Sequence, residues 1–389
     1  NGMGIAGVAP KIRILNNRAF DPQGYGEEDD VAAAILYSVL MGAKVINMSF
    51  GDYSYSHVLK DVVQYAYSKN VVLVASSGNS NSPDPHYPSG YSEVISVGNS
   101  TSEDFVAGSS NYGSTLDMVA PGTQVKTTSR NWNYSDFNGT SAAAPFVSAS
   151  AAMILSLKSF SNEEVKQILK STADDIGQQG WDQRAGAGRL NLLRALTVLA
   201  PSSIKFNFPR QDYSSSEDTL RINATILSSY FKSFSLEYGT GLNPTSWTVL
   251  IDQEKNQVSG KDIFNFPIAG LKDTVYTLRI KVEQTNAFTA EERVNFRIKR
   301  AGTKGELISL LPAYYGDKPT FMAAVYTEDP AVVKMYYKKL SDVSFSYVTL
   351  DGFSTNTGFV KQLHYGFVPK SQVSASDFYE IYFEVINEG

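Results

Sequence analysis

The sequence predicts an α/β domain over residues 1–200, a parallel sheet covered by helices on both faces, followed by two all-β sandwich units at 201–300 and 305–389. Three observations predict it. Short apolar runs alternate with amphipathic helical stretches as far as about residue 200. Glycines and small polar residues gather at the carboxyl ends of those runs, where such sheets bind ligands: Ser49-Phe50-Gly51, Ser76-Ser77-Gly78-Asn79 and Gly98-Asn99. Beyond Ala200-Pro201 the period changes to apolar–polar alternation at the strand spacing of a sandwich.

In the first domain, Ile12 to Leu15 is the first expected strand. Asp30 to Gly42 carries apolar residues at helical spacing and stops at a glycine; the acids Glu27 to Asp30 suit the positive end of its dipole. Val45 to Ser49 is strand, Val58 to Ser68 helix, and Val71 to Ala75, Val94 to Val97 and Leu116 to Ala120 are strands. Ala142 to Leu157 is a small-residue helix, which Pro145 joins within its first turn. Asn162 to Thr172 is a helix opened by a capping box, Ser161 with Glu164. The sandwiches, of immunoglobulin or fibronectin-like kind, show strands at Leu220 to Ala224, Phe234 to Tyr238, Trp247 to Ile251 and Tyr276 to Val282. After a short linker, Lys299 to Lys304, come Phe321 to Tyr326, Val333 to Lys338, Phe345 to Leu350 and Phe378 to Ile386. This last unit is read as incomplete, because a sandwich commonly needs about seven strands.

Composition narrows the function. A chain of 389 residues needs two or three cores. The net charge of -5 and the lack of a basic run argue against nucleic acid and anionic membrane as partners. The absence of cysteine removes disulfides, thiolate metal sites and a cysteine nucleophile. No apolar run reads as a membrane span, and the opening residues, Asn1 to Gly7, show no signal peptide.

The chemistry concentrates in Asn138-Gly139-Thr140-Ser141-Ala142-Ala143-Ala144-Pro145. A glycine and two small hydroxyl residues leading into an Ala-rich helix make a sharp corner. A serine at its tip presents both its hydroxyl and nearby backbone N–H groups. Alone, such a serine is most simply a helix-start residue. It does not stand alone. Gly7-Val8-Ala9-Pro10, Val45 to Gly51, Ser77-Gly78-Asn79, Tyr87-Pro88, Val94 to Gly98, Met118 to Gly122 and Gly186 to Asn191 occur in order around it. Together they resemble the subtilisin-like serine proteases (subtilases, peptidase S8) over about residues 1–197.

The resemblance implies roles, residue by residue. Ser141 is the nucleophile that forms an acyl-enzyme, and Asn79 is the side-chain donor of the oxyanion hole. Ser49, Phe50 and Gly51 on one side and Gly24, Tyr25 and Gly26 on the other flank a protein or peptide substrate as edge strands. Ser76, Ser77 and Gly78 wall the pocket for the residue before the scissile bond, with Phe50 nearby, which suggests an apolar or aromatic preference. The chemistry needs no cofactor. Calcium is conceivable in a full-length protein, although Asn1, Met3 and Ile5 alone do not make a site. A secreted monomer is expected.

The same resemblance exposes what this chain lacks. The family's triad runs Asp, His, Ser in chain order, and the segment matched by Gly7 to Pro10 already lies beyond the first two. Of the histidines, His57 and His86 read as solvated loop residues and His364 falls in the last sandwich. The chain is therefore read as a subtilase fragment, inactive by itself; the alternative is a non-catalytic pseudoprotease, or an adhesin dominated by its sandwiches. The family's Asp-bearing strand lies between the Ile12 and Val45 strands. Those two should therefore stand more than one strand spacing apart, or have collapsed together.

Overall fold

The computed structural model describes residues 4–129, 133–211, 213–301, 304–315, 318–327, 331–356, 361–374 and 376–387. They form two compact units, Asn1–Gln211 with Arg221–Phe266 and Val275–Asn295, and Asp212–Leu220 with Pro267–Thr274 and Phe296–Gly389.

The first unit opens with α1 (Glu28–Leu40), β1 (Val45–Met48), α2 (His57–Ser68), β2 (Val72–Ser76), β3 (Val94–Ser100) and β4 (Met118–Pro121). A small hairpin of β5 (Val125–Thr128) and β6 (Tyr134–Phe137) follows, then α3 (Thr140–Leu157), α4 (Asn162–Ser171) and α5 (Leu192–Val198). The first four strands form one parallel sheet in chain order. Its two faces are visible in β2, because successive side chains point to opposite sides. Val72 and Val74 pack with Val147, Ala151 and Ile154 of α3 and Ile168 of α4. Leu73 and Ala75 pack with Ile35 of α1 and Leu59 and Val63 of α2. Burial on both faces explains why these strands read as unbroken apolar runs. The capping box of α4 is present as expected.

The strand expected at Ile12 to Leu15 is not formed. The segment has no hydrogen-bonded strand beside it, Ile14 is 84% exposed, and β1 is the edge of the sheet. A strand exists through its neighbour; without one, apolar residues with β propensity stay irregular. Asn17 holds the segment instead, donating to Ser38 Oγ of α1 at 2.6 Å. The Ile12 and Val45 segments are thus neither two strands across a gap nor collapsed together. On α1, Leu36, Tyr37 and Leu40 are also exposed.

The first sandwich continues in the same unit. One sheet has the order β12 (Val258–Pro267), β9 (Thr219–Ser228), β7 (Ser202–Phe208), and the other runs β11 (Thr248–Glu254), β10 (Phe231–Thr240), β13 (Val275–Gln284), β14 (Thr289–Ile298). Ile222, Ala224 and Ile226 of β9 are buried on one side, as are Leu278, Ile280 and Val282 of β13, so each sheet turns an alternating apolar face inward.

A buried charge cluster lies within this unit. Lys166 and Lys170 of α4 meet Asp117, just before β4, at 3.1 and 3.4 Å. Lys170 also meets Glu292 of β14 at 2.7 Å, and Gln167 Nε2 donates to the same carboxylate at 2.8 Å. Asp117 Oδ2 accepts from the Ser96 N–H. Burial opposes the ionisation of Asp117, but the two ammonium groups outweigh it and hold its pKa below the usual carboxylate range. Against their own burial, the pKa of Lys166 is raised chiefly by Asp117 and then Glu292, and that of Lys170 by Glu292 and then Asp117.

In the second unit, β8 (Tyr213–Ser215) runs parallel to the end of β14. Arg300, expected in a plain linker, is pinned there: it pairs with Asp273 and donates to the Leu271 and Ile268 carbonyls. The rest is β15 (Gly305–Tyr315), β16 (Lys318–Thr327), β17 (Ala331–Lys339), β18 (Ser346–Asn356), β19 (Lys361–Phe367) and β20 (Tyr379–Asn387). The first part of β18 pairs with β17 and its second part with β19, so one strand is shared by two sheets. Ala323, Val325, Val333, Met335 and Leu350 fill the space between them.

Candidate active site

Ser141 is the second residue of α3. Gly139 precedes the helix with φ 121°, a left-handed conformation that glycine alone adopts without strain. A Cβ there would also stand 3.0 Å from Asn79 Oδ1. Gly139→Ala is expected to lower stability by about 1–3 kcal/mol, read as a shift in the urea midpoint.

Asn79 follows β2 and is tied to this corner through its carbonyl end. Its Oδ1 accepts from the Thr140 N–H at 2.8 Å and from Thr140 Oγ1 at 3.1 Å. Because that end must accept, the amide end is the one left to donate. Asn79 is exposed, and among the described residues Nδ2 has no partner. The N–H of Ser141, in the first turn, has no acceptor among them either. Two donors, one on Asn79 and one on Ser141 itself, are thus left without a partner at this corner.

Pro145 lies further into the helix than expected: α3 begins at Thr140, so the proline is its sixth residue. A proline has no N–H for the carbonyl four residues back, which here is Ser141's. Ser49 Oγ fills the vacancy, donating to Ser141 O at 3.0 Å. In return Ser141 Oγ donates to Ser49 O at 3.2 Å. The end of β1 and the serine corner are locked by a reciprocal pair of hydrogen bonds.

The remaining expected residues divide. Ser76 ends β2; Ser77 donates to Val97 O, and Gly78 N–H donates to Thr140 Oγ1 at 3.2 Å, so this wall joins the corner directly. Phe50 packs its ring on Phe20 at 4.9 Å. Gly51 is crowded: a Cβ there would collide with Tyr87 O and lie 2.5 Å from His86 Cε1. Gly24, Tyr25 and Gly26 do not form an edge strand. The Tyr25 N–H donates to Asp21 Oδ1 and its carbonyl accepts from the Asp21 N–H, which closes a turn.

His86 is not solvated. It is half-buried, its Nδ1 is 3.3 Å from Ser76 O, and its ring meets Tyr53 edge-on. Burial pushes its pKa down, against the raising influence of Ser76 O and Asp52. The His57 side chain lies outside the described residues. His364 Nε2 is 3.0 Å from Thr327 Oγ1 in the last sandwich. Among the described residues no imidazole is hydrogen-bonded to Ser141. No group of three or more His, Asp or Glu side chains there could hold a metal, and Asn1 and Met3 lie outside them. The bond of Thr140 to Asn79, and any part for Asn111, are not legible in the sequence. Asn111 Oδ1 accepts from the Ser80 and Ser82 N–H groups and orders the loop after Asn79, but no motif marks it.

Residues 1–188 match the family model of the subtilases. Thermitase of Thermoactinomyces vulgaris is 37% identical over 198 residues, 50% of this chain and 69% of that protein. The chain belongs to the subtilase family. A thermophilic serine proteinase of Bacillus sp. (strain AK1) is 40% identical to this subtilase over 197 residues, covering 51% of the chain and 48% of the relative. The minor extracellular protease Epr of Bacillus subtilis (strain 168) is 34% identical over 190 residues, 48% of the chain and 30% of the relative. The chain thus spans about half the length of the first of these two relatives and less of the second.

Proposed function

We propose that this subtilase carries the nucleophile and oxyanion hole of a serine endopeptidase whose base comes from polypeptide outside the described chain. The paired orientation of Asn79 and Ser141 supports the reading: Oδ1 is consumed by Thr140, so Nδ2 and the Ser141 N–H both remain to receive the oxygen that becomes negative. In the reaction, Ser141 Oγ bonds to the peptide carbonyl carbon, its proton goes to the base and then to the leaving amine, and water releases the acyl group. No cofactor takes part. The open edge of β1 and the exposed faces of Ile14, Leu36 and Leu40 offer a place for an Asp-bearing strand from that polypeptide. We also propose secretion, as the extracellular relative suggests.

The Ser141 hydroxyl donates to Ser49 O and, among the described residues, to no imidazole, which fits an idle state of this chain and is also what a pseudoprotease would show. The adhesin reading gains less. Tyr336 and Tyr382 stack on each other at 4.7 Å with their planes 4° apart, so these facing surfaces are closed to a sugar. A serine-directed fluorophosphonate separates the two remaining readings. The complete gene product should be labelled at Ser141, its Ser141→Ala variant should not, and the isolated chain should stay unlabelled. An unlabelled gene product would make this a pseudoprotease.

A further inference from the structure

We propose that His86 forms the floor of the pocket for the residue preceding the scissile bond and restricts that residue to small side chains. The inference rests on the proposed peptide cleft. Its walls are Ser76 to Gly78 at the end of β2 and Gly51 after β1. The imidazole lies against both: a Cβ on Gly51 would be 2.5 Å from Cε1 and 2.8 Å from Nδ1, and a Cβ on Gly78 3.2 Å from Cδ2.

The ring is held there. Nδ1 contacts Ser76 O at 3.3 Å, Tyr53 meets the ring edge-on at 5.2 Å, and Asn111 Nδ2 fixes the Tyr53 hydroxyl at 2.8 Å. Swinging out would break these contacts, so the space beside the two glycines belongs to the protein rather than to a substrate ring. The apolar or aromatic preference expected from the walls alone is replaced by a preference for alanine-sized residues. Because burial keeps the imidazole neutral near neutral pH, it does not act as a cation for acidic side chains, and Asp52 beside it disfavours them further.

The test uses N-acetyl tetrapeptides identical except for a C-terminal Ala or Phe, titrated calorimetrically into the chain and into His86→Gly. The wild type should bind the Ala-ended peptide at least about 10-fold tighter, which is about 1.4 kcal/mol. The variant should lose or invert that ratio. Near-UV circular dichroism checks its fold, and His86→Ala serves if the glycine variant does not fold. A wild type that binds the Phe-ended peptide equally well overturns the inference without any variant. A folded variant with an unchanged ratio also overturns it and leaves the peptide cleft standing. Failure of both peptides to bind the wild type overturns the cleft and the inference together.

Discussion

Asp117→Asn should lower the stability of the first unit by about 3–5 kcal/mol, the usual cost of removing one partner from a buried ion pair. The cost arises less from the lost attraction than from what remains. Lys166 and Lys170 stay buried, with Glu292 as the only carboxylate still within ion-pair distance among the described residues. The neutral amide can still accept the Ser96 N–H, so packing and the local backbone bond survive and the change isolates the charge. Urea unfolding at pH 7 reads the loss as a lower midpoint. The pH dependence gives a second check. The folded-state pKa of Asp117 lies below its ordinary value of 3.8, so its contribution is complete above about pH 4. It disappears as pH falls through the folded-state pKa. The gap between wild type and variant should therefore close in acid. A gap that stayed constant from pH 7 to pH 2 would refute the assignment.

Asn79→Asp, in the complete gene product, is expected to lower kcat about 10²–10³-fold with the melting temperature preserved. That magnitude is the one established for the corresponding asparagine of subtilisin, the reference case for loss of a single oxyanion donor. The separation of effects comes from the geometry. The Asn79 carbonyl end caps α3 through Thr140, and a carboxylate can do the same; its negative charge also suits a helix N-terminus. Only the Nδ2 donor is lost. Asn79→Ala removes both, so it should lose turnover and also about 1 kcal/mol of stability. The two variants distinguish an oxyanion donor from a plain cap. If Asn79→Asp turns over peptide at the wild-type rate, Asn79 is only a cap.

The serine corner was legible in the sequence because its parts lie close together along the chain: Gly139, Thr140 and Ser141 make one local turn whatever surrounds them. The β2 and β3 runs were legible because strands buried on both faces need apolar residues at every position. Other features depend on partners far along the chain. Ile12 to Leu15 has the composition of a strand but no neighbour to pair with. Gly24 to Gly26 looked like a place for close backbone approach, yet Asp21 bends it into a turn. Exposed Ser259, Lys261 and Asp262 hid β12, and Pro312 interrupts the run that forms β15. Lys170 and Glu292 are 122 positions apart, and nothing in either neighbourhood announces the other.

In the proposed function, the reciprocal hydrogen bonds between Ser49 and Ser141 mean that substrate-strand alignment and nucleophile position cannot drift independently. A change that shifts the tip of β1 carries the attacking oxygen with it. Selection for a new peptide sequence must therefore work elsewhere, in the loops around the cleft, and leave this pair of serines alone.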